Sequence, residues 1–264
     1  MKKLLFTFFG LCAFLVSCDL YPQDEYEEYY VVESYMKANN PLPVVRLSTT
    51  APATERYLFE DFAVQSANVE IRLLEDGPGS LIEQQFQYES DQPGLYLPTV
   101  PNQQHRILPR RTYEIYISFP DSDDIIRANT TIPDAFQILP GSQDSVVFQS
   151  KEQLELLLTK SFYPGRQNIY VFNALAQNPV AENLTPLYAD FFEDSETPQE
   201  DLILLSNNSS GIINEANFEE NPDGTISLNY PWIGIAFYEE NRIVANAIDD
   251  NVYDFVRSQQ VQLG

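Results

Sequence analysis

Apolar and polar residues alternate with a period of two in many short segments of the chain. Val69, Ile71 and Leu73 alternate with polar neighbours, and segments 113–119 and 169–174 show the same alternation. This period is the pattern of a half-buried β-strand, whereas an amphipathic helix would repeat every three to four residues. Turns rich in Gly, Pro, Asn and Asp separate the segments. The pattern therefore predicts an all-β fold of short antiparallel strands.

Weaker alternation predicts further strands, and one segment has the signals of a helix. Asp249 or Asp250 can cap a helix near the C-terminal end, where Val252, Phe255 and Val256 recur on one side. The additional strands are predicted over residues 30–36, 44–49, 84–88, 125–132, 145–149, 154–158, 202–205, 225–229, 233–237 and 242–248.

A turn-rich stretch at residues 133–143 predicts a boundary between two strand-rich parts. We expect a first β-sandwich domain over residues 30–135 and a second β-rich domain, with one short C-terminal helix, over residues 140–264. The first part resembles small Ig-like or transthyretin-like sandwiches of secreted bacterial proteins. In those domains a strand leads to a Gly-marked turn, and a tyrosine opens the next strand. The matching segments are 67–73, 93–96 and 111–117.

The N-terminal residues follow the order of a bacterial secretion signal. Lys2 and Lys3 precede an apolar stretch over residues 4–16, which is too short to span a bilayer. The stretch ends in Leu-Val-Ser-Cys at residues 15–18, which resembles the lipobox of bacterial lipoproteins. This resemblance implies a signal peptide over residues 1–17 and lipid attachment at Cys18, with a diacylglycerol on its thiol and an acyl chain such as palmitate on the amine that cleavage frees. The alternative is an ordinary signal peptide that an unrelated cysteine happens to follow.

The two cysteines and the segment after them agree with a lipid anchor. Cys12 lies inside the segment that would be removed, so Cys18 would be the single thiol of the mature chain. Residues 18–29 are acidic and rich in tyrosine, and we expect them to form a tether between the lipid and the folded part. An acidic patch after such a cysteine resembles a surface-export signal, so surface display is a hypothesis.

The chain is strongly acidic, with a formal net charge of −24 and a sequence pI of about 4.1. A polyanion would be repelled, and no stripe of Lys and Arg interrupts the acidic background, so nucleic acid is excluded as a partner. Strong acidity serves solubility in many proteins, but it also attracts cations or a basic partner.

Several segments follow one another in a recognisable order. A lipobox cysteine is followed by Tyr30–Ser34, Val45–Thr50, Ser66–Ile71, Gly94–Tyr96 and Thr112–Ile115. Together these segments resemble the DUF4249 family of Bacteroidetes lipoproteins, whose function is not assigned. The resemblance is stronger in the first half of the chain than in the second.

This resemblance implies a place and a type of partner. Members are often encoded beside TonB-dependent outer-membrane receptors, and the family brings no catalytic residues. We therefore expect a binding or accessory lipoprotein, anchored in the outer membrane on its periplasmic or extracellular face, with such a receptor as its possible partner. The alternative is a surface protein that binds glycans or acts as a structural adhesin.

The sequence offers few residues for catalysis or metal binding. His105 is the single histidine, and the mature chain would have no thiol besides the lipid-bearing Cys18, so a His-rich or Cys-based metal site cannot be built. A Ser-His-Asp triad would have to use His105, and no Gly-x-Ser-x-Gly elbow presents a serine. We therefore predict no catalytic residues, no metal, no cofactor and no enzymatic activity.

Three other groups of residues are candidates for binding. Acidic loops at residues 121–124, 193–196 and 219–224 could offer oxygens to calcium, although solvated turns have the same composition. Arg106, Arg110 and Arg111 could receive a carboxylate, or they could balance nearby acids. Aromatic rings could form a platform for a sugar, although packing in a core or on a sheet face is the more common role of such rings. The rings in question are Tyr230, Trp232 and Tyr238.

Overall fold

The computed structural model of the chain describes residues 26–140, 142, 144–193 and 195–262, with the last four residues described by their backbone alone. The predicted all-β fold is confirmed. The strands are β1 (Tyr30–Glu33), β2 (Val45–Thr49), β3 (Asn68–Leu74), β4 (Ile82–Gln92), β5 (Leu95–Pro98), β6 (Thr112–Ser118), β7 (Ile125–Thr131), β8 (Leu154–Leu158), β9 (Ile169–Ala176), β10 (Asn207–Asn214), β11 (Glu219–Glu220), β12 (Ile226–Tyr230) and β13 (Asn241–Ala247). The helices are α1 (Pro186–Glu193), α2 (Pro198–Leu205) and α3 (Asp250–Gln262).

Three of the strand predictions were wrong. Residues 145–149 form a loop and turn, residues 202–205 end helix α2, and residues 233–237 lie in and after a short 3₁₀ helix. A short apolar run cannot by its period distinguish a strand from a helix. In α2 a proline at the first helical position decides in favour of the helix, because its fixed φ already suits that conformation.

The first half forms one antiparallel seven-stranded sheet with the order β1-β2-β5-β4-β3-β6-β7. The sheet curls because β4 is eleven residues long and has a different neighbour along each part of its length. Residues 82–87 pair with β3, and residues 88–92 pair with β5. The two parts enclose one core, so the predicted sandwich-like arrangement is confirmed. Residues from both parts contribute to it, including Leu47, Ile71, Phe86, Tyr96 and Ile117.

Aromatic rings close the curled sheet. Tyr30 on β1 stacks on Phe119 just after β6, with their ring centroids 4.4 Å apart, so the first strand of the order meets the last strand but one. Tyr88 and Tyr96 are buried, and their hydroxyls donate to the carbonyl oxygens of Pro43 and Val64 at 2.9 and 3.0 Å. Both rings are thus packed in the core while both hydroxyls keep a hydrogen-bond partner.

The second half contains two three-stranded sheets with the orders β10-β9-β13 and β11-β12-β8. Both sheets contribute to a second core that is rich in aromatic rings. Tyr170 and Phe172 on β9 are fully buried, and the ring of Phe172 meets Tyr230 on β12 edge to face at 5.9 Å. A smaller third core, made of Leu184, Ala236 and Phe237, supports helices α1 and α2.

Hydrogen bonds connect the two halves near the start of α3. Asp249 caps this helix, as predicted, by accepting from the Val252 backbone N–H at 3.0 Å. The same carboxylate accepts from the hydroxyl of Thr130 on β7 at 2.6 Å. Asn251 donates to the carbonyl oxygen of Asn129 at 2.7 Å. The division into domains at 30–135 and 140–264 stays a prediction, and residues 137–139 lie beside β8.

A glycine is required where the chain turns between β4 and β5. Gly94 has φ +70°, and a Cβ atom there would lie 2.7 Å from the Leu47 carbonyl oxygen and 2.8 Å from the Phe59 ring. The glycine also accepts a hydrogen bond from the Leu47 N–H at 2.8 Å and donates to the Val64 carbonyl at 3.2 Å. The curled sheet is therefore packed too closely here for any side chain.

We predict that Gly94→Ala lowers the free energy of unfolding by about 3 kcal/mol, because a strained φ and overpacking act together. Gly79→Ala is the matched control, because Gly79 has φ +80° with nothing within 4 Å of an added Cβ. Strain alone should cost the control about 1 kcal/mol. Urea unfolding measures both variants. Equal losses would contradict the close packing at Gly94.

Candidate functional site

The outer face of the β11-β12-β8 sheet carries the first residues of the candidate site. Along β12 the side chains alternate, so that Leu228 and Tyr230 are buried and Asn229 is exposed. Asn229 pairs in register with Glu155 on β8, which is also exposed. A strand period of two therefore places an amide and a carboxylate side by side on the solvent face.

The chain leaves β12 through a tight turn that presents Trp232. Pro231 is followed by a 3₁₀ helix over Trp232–Gly234, and the Gly234 N–H donates to the Pro231 carbonyl at 2.9 Å. Gly234 lies against the buried Tyr230, and a Cβ atom there would lie 2.5 Å from the tyrosine hydroxyl oxygen. The core residue Tyr230 thus fixes the turn, and the turn holds the indole at the sheet end.

A second turn, over residues 147–150, lies opposite this indole. The Ser150 N–H donates to the Val147 carbonyl at 3.0 Å, and Gln149 has φ +55°, a left-handed conformation that is uncommon outside glycine. The Phe148 ring meets Trp232 at 5.2 Å and Tyr238 at 5.5 Å, in both cases edge to face. This turn replaces the strand that was predicted over residues 145–149.

Trp232 lines two adjoining depressions. The larger is an open cleft of about 390 Å³, which we call the Trp232 cleft. The smaller has a volume of about 220 Å³ and is more apolar, with Phe148, Phe237 and Tyr238 among its walls. Apart from Trp232, the lining of the Trp232 cleft is entirely polar and consists of Ser150, Lys151, Glu152, Gln153, Glu155 and Asn229.

This lining offers hydrogen-bond donors and acceptors beside one aromatic face. Lys151 brings only donors, Glu152 and Glu155 bring acceptors when ionised, and Asn229 brings both. Such a set suits a neutral ligand with many hydroxyl groups, because each hydroxyl can donate and accept. Apolar C–H groups of the same ligand can lie on the indole ring.

The aromatic platform proposed from the sequence is only partly formed. Trp232 lines both depressions, and Tyr238 lines the smaller one with 42% of its surface exposed. The prediction that Tyr230 belongs to the platform was wrong, because this residue is fully buried in the second core. Burial raises the pKa of its hydroxyl well above the usual value near 10. The period of β12 turns this ring inward, away from the ligand face.

His105 packs against the first core. Its Nε2 atom lies 3.0 Å from the Tyr113 hydroxyl, and its ring lies 4.2 Å from that of Phe86. The same hydroxyl accepts from the Leu108 N–H at 3.0 Å. Burial lowers the pKa of His105 below its usual 6.5. The histidine therefore helps to hold the 105–108 loop, and it lies far along the chain from the Trp232 cleft.

The three arginines do not converge on one binding point. Arg106 donates to backbone carbonyls of its own loop, and Arg110 lies over the Phe162 ring at 4.8 Å. Arg111 donates to the Leu74 carbonyl at 2.9 Å and pairs with Glu83. Their contacts hold local structure, so the cluster proposed as a carboxylate receptor is not assembled.

The acidic loops form turns that use their own side chains. Ser122 donates to Asp124 at 2.6 Å in the first loop. In the third loop the hydroxyl and N–H of Thr225 both donate to Asp223, and these hydrogen bonds lower the pKa of that carboxyl. Over the part of the chain that the structure describes, no three His, Cys, Asp or Glu side chains come together to hold a metal ion.

The predicted signal peptide and Cys18 lie outside the described residues, which begin at residue 26. The end of the predicted tether is held on the first half of the fold. Tyr26 donates to the Thr50 carbonyl, and the N–H of Tyr29 donates to the Thr50 hydroxyl at 3.1 Å. Among the residues with described structure, no helix has the length and apolar character needed to cross a bilayer.

We predict that the His105 imidazole titrates below pH 6.5 in the folded protein, because burial disfavours its charged form. The stability that the neutral ring provides is present above pH 6.5 and is lost as the pH falls towards the folded pKa. Proton NMR measures the titration, and the single histidine gives one unambiguous Hε1 signal. The urea-unfolded chain is the control, with a pKa near 6.5. An unshifted folded pKa would contradict the buried position.

Comparison with known proteins identifies a family. A family model described as "Domain of unknown function (DUF4249)" matches residues 18–264, and therefore both halves of the chain. Neither the curated proteins nor the solved structures contain a match to this chain. The match confirms the family resemblance found in the sequence and brings no assigned activity with it. The chain belongs to the DUF4249 family.

Proposed function

We propose that this protein is a binding lipoprotein of a bacterial outer membrane, anchored through a lipid on Cys18, and that it serves a TonB-dependent receptor without being an enzyme. One observation carries the proposal. The Leu-Val-Ser-Cys sequence at residues 15–18 ends a charged and apolar leader, and the family match begins at the same cysteine. We also propose that the protein comes from a bacterium of the Bacteroidetes and that it is displayed on the cell surface.

The described contacts limit how far the fold can lie from the lipid. The Tyr26 side chain is hydrogen-bonded to Thr50, and Tyr26 lies eight positions after Cys18. Eight fully extended residues reach at most about 29 Å. A lipid on Cys18 would thus hold Tyr26, where the chain joins the first half of the fold, within about that distance of the bilayer. Confinement of this kind raises the effective concentration of the protein near any partner in the same membrane.

The proposed role is binding because the observed features favour binding over catalysis. The Trp232 cleft is open and polar, as suits the holding of a ligand, and His105 is committed to the first core. The chain also carries a formal net charge of −24, which favours encounter with a basic partner surface.

Chemical crosslinking in native membranes tests this role. We predict that the lipidated chain recovers an outer-membrane β-barrel receptor, and that Cys18→Ala recovers at least about ten-fold less, because confinement is lost. A control substitution, Tyr35→Ala, removes an exposed side chain and should leave recovery unchanged. Failure of the lipidated chain to recover any receptor would contradict the proposal.

The Trp232 cleft favours a second candidate function, which is the binding of surface glycans. A pyranose has an apolar face that can lie on an indole and hydroxyls that match the polar lining. In this case the protein would act as a glycan-binding protein or an adhesin, with the same lipid anchor. Glycan binding is favoured by one observation, which is that the Trp232 ring lies in one cleft with Lys151, Glu155 and Asn229.

A glycan array with the purified full-length chain tests the second candidate. We predict that Trp232→Ala weakens binding of any captured glycan about ten-fold or more, since the loss of ring contact removes well over 1 kcal/mol. Tyr35→Ala again serves as the control for an exposed ring far along the chain. An array without binding, or equal binding by Trp232→Ala and the unsubstituted chain, would contradict this function.

A further inference from the structure

Helices α1 and α2 both pack on the third core, and we call them the helix pair. Tyr188, Ala189 and Phe192 of α1 pack against the third core, as do Leu202 and Leu205 of α2. The Tyr188 hydroxyl also donates to the Ile233 carbonyl at 2.5 Å. One side of each helix is thereby fixed to the body of the protein.

The opposite side of the helix pair exposes large apolar side chains. Phe191 has 71% of its surface exposed, and Ile203 and Leu204 each have 73% exposed. Leu187 lies four residues before Phe191 on the same side of α1 and is 40% exposed. Burial of these side chains would remove much apolar surface from water.

This pattern differs from that of an ordinary surface helix. A helix at the surface presents an apolar stripe to the core and polar residues to solvent, whereas the last turn of α2 reads Leu-Ile-Leu-Leu and is apolar all round. A helix that is apolar all round is normally buried. Exposed apolar patches rimmed by polar residues mark interaction sites.

The charged residues of the helix pair, and of the chain on both sides of it, all have one sign. No Lys, Arg or His occurs in the sequence from residue 167 to residue 241, which includes both helices. Asp190 and Glu193 on α1 are exposed, as are Glu196 and Glu200 between and at the start of the helices. The exposed charges that the helices and their connection carry are therefore all negative, and we call these four carboxylates the negative surround.

The negative surround selects among possible occupants. A second copy would bring the same acids against these, and like charges across an interface are costly. A bilayer with anionic head groups would repel them too. A protein surface with an apolar recess and a rim of Lys and Arg would satisfy both features at once.

We infer that the helix pair is a docking surface for a protein partner whose apolar recess is rimmed by basic residues. This inference rests on the proposed function and deepens it, because the receptor would supply that recess. Phe191, Ile203 and Leu204 enter the recess, and the surrounding carboxylates pair with the basic rim.

The test uses the full-length lipidated chain in native membranes. Phe191→Gln, Ile203→Gln and Leu204→Gln are combined in one helix variant. Leu81→Gln and Val100→Gln form the matched control, because each of these apolar residues is 71% exposed in the first half. We expect the helix variant to recover at least about ten-fold less receptor and the control to recover as much as the unsubstituted chain. Receptor recovery should also fall as salt rises from about 0.05 to about 0.5 M.

Two outcomes separate this inference from the proposed function. Equal recovery of receptor by the helix variant and the unsubstituted chain would overturn the docking surface and leave the proposed function in place. Absence of a receptor from every sample would overturn the proposed function. In that case photocrosslinking tests the inference. A photoreactive residue is placed at position 203, and the same residue at position 81 is the control.

The photoreactive residue also covers the case in which the helix variant fails to fold, because the chain is otherwise unchanged. Capture from position 203, and not from position 81, of one identified membrane protein, crosslinked at an apolar recess whose rim carries several Lys or Arg residues, would support the inference. Capture of lipid alone, of a second copy, of an acidic peptide or of nothing would overturn it.

Discussion

Buried tyrosines are the interaction on which both halves of the structure depend. Tyr88, Tyr96 and Tyr113 place their rings in the first core and bond their hydroxyls to the backbone of loops, so that the core fixes these loops. Tyr88 and Tyr96 hold the carbonyls of Pro43 and Val64, and Tyr113 accepts from the Leu108 N–H. In the second half the ring of Tyr230 fixes the turn at Gly234. Loops that would otherwise be mobile thereby become part of the folded body.

The sequence was informative wherever one face of a strand is buried. The alternation at β3, β6 and β9 predicted these strands because their inward residues are apolar and their outward residues are polar. It failed at residues 202–205, where a continuous apolar run fits either structure and the proline at the start of the helix decides. It also missed α1, whose apolar residues lie on both its packed and its exposed side.

The sequence predicted the candidate site less completely than it predicted the fold. Trp232 could be singled out as the single tryptophan, but its polar neighbours come from a turn near residue 150 and from two strands that are distant in sequence. Tyr230 and Trp232 are two residues apart and look alike as aromatic residues. Only the end of β12 and the 3₁₀ turn place one ring in the core and the other in the cleft.

The proposed role joins a lipid anchor, a polar cleft and an apolar helix pair in one chain, and the anchor is its central claim. Intact mass measurement of the mature polypeptide from native membranes tests that claim most directly. The account predicts a chain that begins at Cys18, with a diacylglycerol on the sulfur and an acyl chain on the amine. An unmodified thiol at Cys18, or a chain that keeps its leader, would contradict it.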